Sequence, residues 1–193
     1  MKSAFVLALI LVPLAFAAPK KKMPTAVATL ERVSGPVLHI RRKNETPVSG
    51  ETSLFPGDTV RLGGEARAQL QVVGAHVRLI PGSEVGIGRS SQAKSAPWVE
   101  LRTGALEVES QKVLVVKFDS VNVEISGGTA ILDLSDPARL SVISGSARVK
   151  AGVSDPVILK AGEVARFTAG ILDGVPEQVG VEQIQAYRKG LGF

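Results

Sequence analysis

Ser91-Gln92-Ala93-Lys94 spells S-x-x-K, the serine-nucleophile tetrad of penicillin-recognising enzymes. In those enzymes the serine opens a helix of a mixed α/β domain, with S-x-N and K-T-G elsewhere. Here the tetrad lies in the polar, turn-rich stretch Ser90 to Pro97, Arg102-Thr103-Gly104 is the nearest third motif, and no usable S-x-N stands between them. The match is read as chance. Glu107 and Glu109 share a strand face, with Glu124, Asp133 and Asp136 further on. Paired carboxylates can cleave glycosides, but that chemistry needs a cleft and aromatic sugar platforms. With only Trp98 and Tyr187 beyond the phenylalanines, these carboxylates read as solvated strand faces. His39 and His76 are far apart and without a clustered ligand set, so neither reads as a metal ligand. Asn44-Glu45-Thr46 matches a glycosylation sequon, which is uninformative here. No phosphate-cradling glycine loop or dinucleotide fingerprint is present. Trp98 is the residue to watch: a lone Trp is either a core or turn anchor or, if exposed, a partner contact. The expectation is therefore no enzyme, no cofactor and no metal.

The elements that position these residues are strands. The chain has 193 residues, 20 of them Gly and 11 Pro, is rich in Val, and is only 4% aromatic, which suits many short strands joined by tight turns. Ala66, Ala68, Leu70 and Val72 alternate with Arg67, Gln69 and Gln71, the pattern of a half-buried strand. Glycine punctuates the pattern: Gly64, Gly104, Gly128, Gly145 and Gly162 each open an alternating run. The last three are evenly spaced, which suggests stacked rungs or successive hairpins over one core. The predicted fold is all-β, a two-layer β-roll or solenoid-like sandwich with a short C-terminal helix around Val181, Ile184 and Tyr187 that Gly190 stops.

The N-terminus carries an export signal. Lys2 precedes the apolar run Ala4 to Ala17, and Ala15-Phe16-Ala17 supplies a signal-peptidase site. The run is shorter than the ~20 apolar residues that span a bilayer and contains Pro13. Cleavage after Ala17 leaves no transmembrane span, although Lys20, Lys21 and Lys22 directly behind the run would favour its retention. There is no Cys, so neither disulfides nor an N-terminal lipid are expected. The charge of +5 suits peptidoglycan or anionic headgroups, or solubility alone. Nucleic acid is excluded by export and by basic clusters, Lys20–Lys22 and Arg41-Arg42-Lys43, that hold no aromatics for base stacking.

In order and spacing the chain resembles the FecR family. Val33-Ser34-Gly35-Pro36-Val37 is similar to its V-x-G-x-V strand, and Pro56-Gly57-Asp58 to its Gly-Asp turn. Pro81-Gly82-Ser83 follows, then Leu101-Arg102-Thr103-Gly104-Ala105-Leu106, Val123 to Thr129, Val142 to Val149 and Val157 to Glu163. The resemblance covers residues 29–168 and implies a periplasmic β-domain in the envelope of a Gram-negative bacterium. In the family, a cytoplasmic segment controls a sigma factor; here the export signal stands in its place. Tyr187 to Phe193 resembles the W-x-x-G-x-L-x-F passage that leads into a receiver subdomain, with Tyr for Trp and no receiver following. The expected organisation is a signal peptide (1–17), a linker (18–28), a stand-alone FecR-like β-domain (29–168) and a tail with a short helix (169–193). The implied function is a non-enzymatic binding or scaffold module, periplasmic or secreted, that contacts an envelope protein or peptidoglycan. The alternative is a soluble accessory of FecR-type signalling that acts on sigma-factor control through a separate partner.

Overall fold

The computed structural model describes residues 25–89 and 97–193. The expected signal peptide and cleavage site, most of the expected linker and the tetrad Ser91 to Lys94 lie outside the described residues. The chain runs through β1 (Ala28–Ser34), β2 (Val37–Arg41), β3 (Asn44–Val48), β4 (Thr52–Leu54), β5 (Thr59–Leu62) and β6 (Arg67–Val72). It continues with β7 (Ala75–Leu79), β8 (Glu84–Arg89), β9 (Pro97–Thr103), β10 (Ala105–Ser110), β11 (Leu114–Phe118) and β12 (Val121–Asp133). The last elements are β13 (Ala138–Ala151), β14 (Val157–Lys160), β15 (Glu163–Thr168), β16 (Ile171–Leu172), β17 (Glu177–Gln178) and the helix α1 (Val181–Leu191).

The strands form one network folded into two layers that nearly closes as a barrel. The first layer runs β4–β1–β6–β7–β10–β12–β13–β15, with β16 and β17 both against β15. The second runs β3–β2–β5–β8–β9–β11–β12–β13–β14. The long strands β12 and β13 belong to both. They bend together where the ladder shifts register, at Gly127-Gly128 and Gly145. Gly145 is required there: its φ is +74, and a Cβ would stand 2.1 Å from the Gly127 carbonyl oxygen.

The glycine punctuation of the sequence therefore marks crossings between layers. Gly64 lies between β5 and β6, Gly104 between β9 and β10, and Gly162 between β14 and β15, while Gly128 and Gly145 sit at the shared bend. All-β is right, but the expected solenoid rungs are not what these turns build. Each crossing returns the chain beside a neighbour in the opposite direction, so every described pairing except β9 with β11 is antiparallel. The result is a folded-over sheet rather than parallel coils.

Alternate residues of every long strand point between the layers. Leu30, Leu70, Val77, Leu106, Leu132 and Leu140 come from the first layer, and Val60, Val85, Val99, Val116, Val123 and Val149 from the second. Phe118 meets Phe167 across this core edge to face, with ring centroids 5.2 Å apart. Val27 and Ala28, at the end of the expected linker, are already part of it.

Helix α1 lies on the outer face of the first layer. Its Ile184 is fully buried against Ile131, Ile143 and Val164. It runs past Gly190 and ends at Gly192, not where the sequence placed its stop. Gly192 is left-handed and donates its N–H to the Lys189 carbonyl, a glycine C-cap. Among the described residues no helix is long and apolar enough to cross a membrane.

Candidate functional site

Trp98 stands on the outer face of the second layer, on β9. Pairing register sets its neighbours in a row across the strands: Gly88, Trp98, Val115, Glu124, Arg148 and Ile158. The next row on the same face reads Gly86, Glu100, Lys117, Asn122 and Lys150. The two glycines of β8 leave its outer side bare, and the indole fills the space. A Cβ on Gly88 would lie 2.0 Å from a ring atom of Trp98. Lys117 covers the opposite side, its Nζ 4.5 Å from the ring centroid, a cation–π contact. Trp98 is therefore half-buried, packed against Gly88 and Lys117, both an anchor and part of the accessible face.

Beside the indole is a shallow groove of about 190 Å³ whose walls include Gly57, Gly86, Trp98, Glu100 and Arg102. Arg102 reaches Glu100 at 3.2 Å, the Thr59 hydroxyl at 3.2 Å and Glu84 at 3.4 Å. Glu84 also receives the Arg61 Nε at 2.7 Å. Burial alone would raise the Glu84 carboxyl, but the Arg61 and Arg102 guanidiniums hold it below the usual carboxylate range.

Asp58, which also lines the groove, is buried and accepts three hydrogen bonds: Arg41 Nε at 2.8 Å, Arg41 Nη2 at 2.7 Å and the Phe55 N–H at 2.8 Å. Its Oδ2 lies 3.0 Å from His39 Nε2, which is not aligned as a hydrogen bond. Burial pushes this carboxyl up, and Arg41, the Phe55 amide and His39 together push it further down. The Arg41 guanidinium also lies 4.4 Å from the Phe55 ring centroid. The turn Phe55-Pro56-Gly57-Asp58 is thus tied to β2 by one carboxylate. His76 is elsewhere, on the outer face of the first layer, with its Nδ1 3.0 Å from Gln69 Nε2.

The carboxylates read from the sequence divide. Glu109 and Glu124 are exposed, as expected. Glu107 and Asp133 are not solvated: they are 1% and 7% exposed because α1 covers them. Glu107 accepts from Arg78 on β7 and from both Nε and Nη2 of Arg188 on the helix. Asp133 accepts from the Ser135 amide and hydroxyl, each at 2.9 Å, and from the Tyr187 hydroxyl. Arg139 lies 4.1 Å over the Tyr187 ring. Burial, then the bond to Asp133, pushes the Tyr187 hydroxyl up to about 12. These groups pin the helix to the sheet. Among the described residues no three His, Cys, Asp or Glu gather as a metal would need.

Two features escaped the sequence reading. Asp58 was seen only as part of a turn motif, and its partner Arg41 only as part of a basic cluster. Gly86 and Gly88 went unremarked, although two glycines one residue apart in a strand leave one face of it without side chains.

No family model matches the chain, and no curated protein matches it in sequence. Among solved structures it is similar to two crystal structures of candidate anti-sigma factors from Parabacteroides distasonis. The likeness to one has a TM-score of 0.56 at 14% identity, over 68% of this chain and 64% of that one. The other gives 0.55 at 13% identity, over 68% of this chain and 65% of that one. The chain thus spans less than two thirds of those proteins' length, and the likeness is one of fold.

Proposed function

We propose that the chain is an exported, non-enzymatic binding module of the cell envelope, a FecR-type domain that contacts a partner protein through the outer face around Trp98. The observation that carries this reading is the composition of that face and the packing of its Trp. A seated Trp, Val115 and Ile158 stand among Lys117, Arg148 and Lys150 on a continuously hydrogen-bonded sheet. Binding energy at interfaces concentrates in Trp and Arg side chains on preorganised surfaces. The titratable groups support binding over catalysis, because Asp58, Glu84, Glu107 and Asp133 are each committed to arginines, hydroxyls or backbone amides.

A signalling accessory is the second reading, favoured by a fold shared with candidate anti-sigma factors. In that case the partner is a separate regulator of a sigma factor. Genes for a sigma factor or an outer-membrane transporter beside this one support it, and their absence returns weight to a scaffold.

The test is a pull-down from periplasm with the protein and its Trp98→Ala variant side by side. A partner captured by the first and lost by the second is the expected result. Recovery of neither partner nor cell-wall material overturns the reading, and equal capture by both removes Trp98 from it.

A further inference from the structure

We propose a second binding site, at the open end of the C-terminal half, for an apolar segment of a partner protein flanked by lysine or arginine. The bend in β12 and β13 joins the layers at one end of this half. At the other end the β13–β14 hairpin of the second layer and the β15–β16 hairpin of the first stand apart. Between them is a cleft of about 460 Å³, walled by Val149, Ala151, Val157 and Leu172. One lip is fixed where the Ser120 hydroxyl donates to the Gly170 carbonyl at 3.1 Å, tying the turn after β11 to the turn after β15. The volume lies within the range of ligand sites, about 300–1,000 Å³.

The rim points to what fills it. Val153 and Ile171, which line the cleft, are 104% and 68% exposed, and Val175, next in the chain after the lining residue Gly174, is 85% exposed; they are three of the seven large apolar side chains exposed among the described residues. Single exposed aliphatics are ordinary, but two that line one apolar cleft, with a third beside a lining residue, form a patch, and such patches mark contact sites. The charge at this end is acidic in a chain of net +5. Asp155 lines the cleft, Asp173 stands between the lining residues Leu172 and Gly174, and Asp119 precedes Ser120; all three are exposed. No Lys or Arg is among the described residues lining it. A fatty acid or an anionic lipid would bring negative charge against these carboxylates. An aliphatic segment with basic flanks matches both the wall and the rim.

The measurement is an amide chemical-shift titration of the isotope-labelled protein with acetyl-Lys-Leu-Val-Leu-Lys-amide. Its twin carrying Glu for Lys, sodium laurate, and vesicles of anionic phosphatidylglycerol are the comparison probes. The lysine peptide is expected to shift Gly152, Ile171 and Gly174 saturably, and to bind at least about tenfold more tightly than the glutamate twin, a difference of ~1.4 kcal/mol. Asp155→Lys should abolish that preference and Val153→Ser should weaken both peptides; both positions are exposed, so folding is preserved. Equal binding of the twins, tighter binding of laurate or vesicles, shifts confined to other surfaces, or no saturable shift overturns the proposal. Because the readout lies at the cleft and not at Trp98, its failure leaves the proposed function standing, and the reverse holds.

Discussion

The side chains with the most unusual chemistry hold the fold together. Tyr187 shows this with a clean signal, because it is the one tyrosine in the chain. Its hydroxyl is bonded to a buried carboxylate, and burial and that neighbour raise it to about 12. A raised acid group means that the folded state prefers the neutral phenol. Its contribution is complete below the unfolded value of about 10 and is lost as the pH climbs from there towards the folded value. Near-ultraviolet titration of phenolate should give a midpoint near 12 in the folded protein and about 10 in denaturant. Asp133→Asn should lower the first. A native midpoint near 10 would show the hydroxyl open to water and the contact absent. This pair was not legible in the sequence. Alternation along β12 correctly places Asp133 on an outer face, but only a helix 54 residues further on makes that face an interior.

At the scale of elements, the sequence was legible where periodicity is local and illegible where it is not. Alternation identified β6 and β10, and the glycines at 104, 128, 145 and 162 marked where alternating runs begin, places that the fold uses as crossings or as the shared bend. The same glycines could not say whether the chain returns parallel or antiparallel, since pairing is decided by contacts far apart in sequence. Gly190 misled because glycine is tolerated inside a helix at a cost of about 1 kcal/mol, while Gly192 two residues later had the left-handed geometry that ends it. Two glycines of β13 and its turn separate conformation from contact. Gly145 and Gly152 both have positive φ, +74 and +56. A Cβ at Gly152 meets nothing within 4 Å, whereas one at Gly145 runs into the Gly127 backbone at 2.1 Å. Gly152→Ala should cost about 1 kcal/mol for backbone strain alone. Gly145→Ala should cost about 3 kcal/mol or more, because two bent strands must part to admit a methyl group. Urea denaturation of the two variants gives the comparison, and equal losses would mean that the bend does not depend on that contact.

Across the whole molecule, one core joins both layers, and α1 stands outside it. The main cluster runs without a break from Val27 to Phe167 through both halves of β12 and β13, so no part of the sheet has a core of its own. The helix rests instead on a separate cluster of Ile131, Ile143, Val164 and Ile184, with its polar pins around it. Local opening follows contact density, and a layer with one fully buried side chain should leave before the sheet does. The chain contains one Trp and one Tyr, and they report on the two parts separately. Trp98 sits on the second layer and Tyr187 on the helix. In a denaturant series, indole fluorescence and the circular dichroism of the strands should trace one coincident transition, as a single shared core requires. The Tyr187 signal should change at lower denaturant, and the amides of Ile184 to Leu191 should exchange faster than those of β10 and β12 beneath them. Coincidence of all three probes would join α1 to the main core. Two steps in the indole and strand signals would instead divide the sheet, and would contradict the continuity of β12 and β13 through both layers.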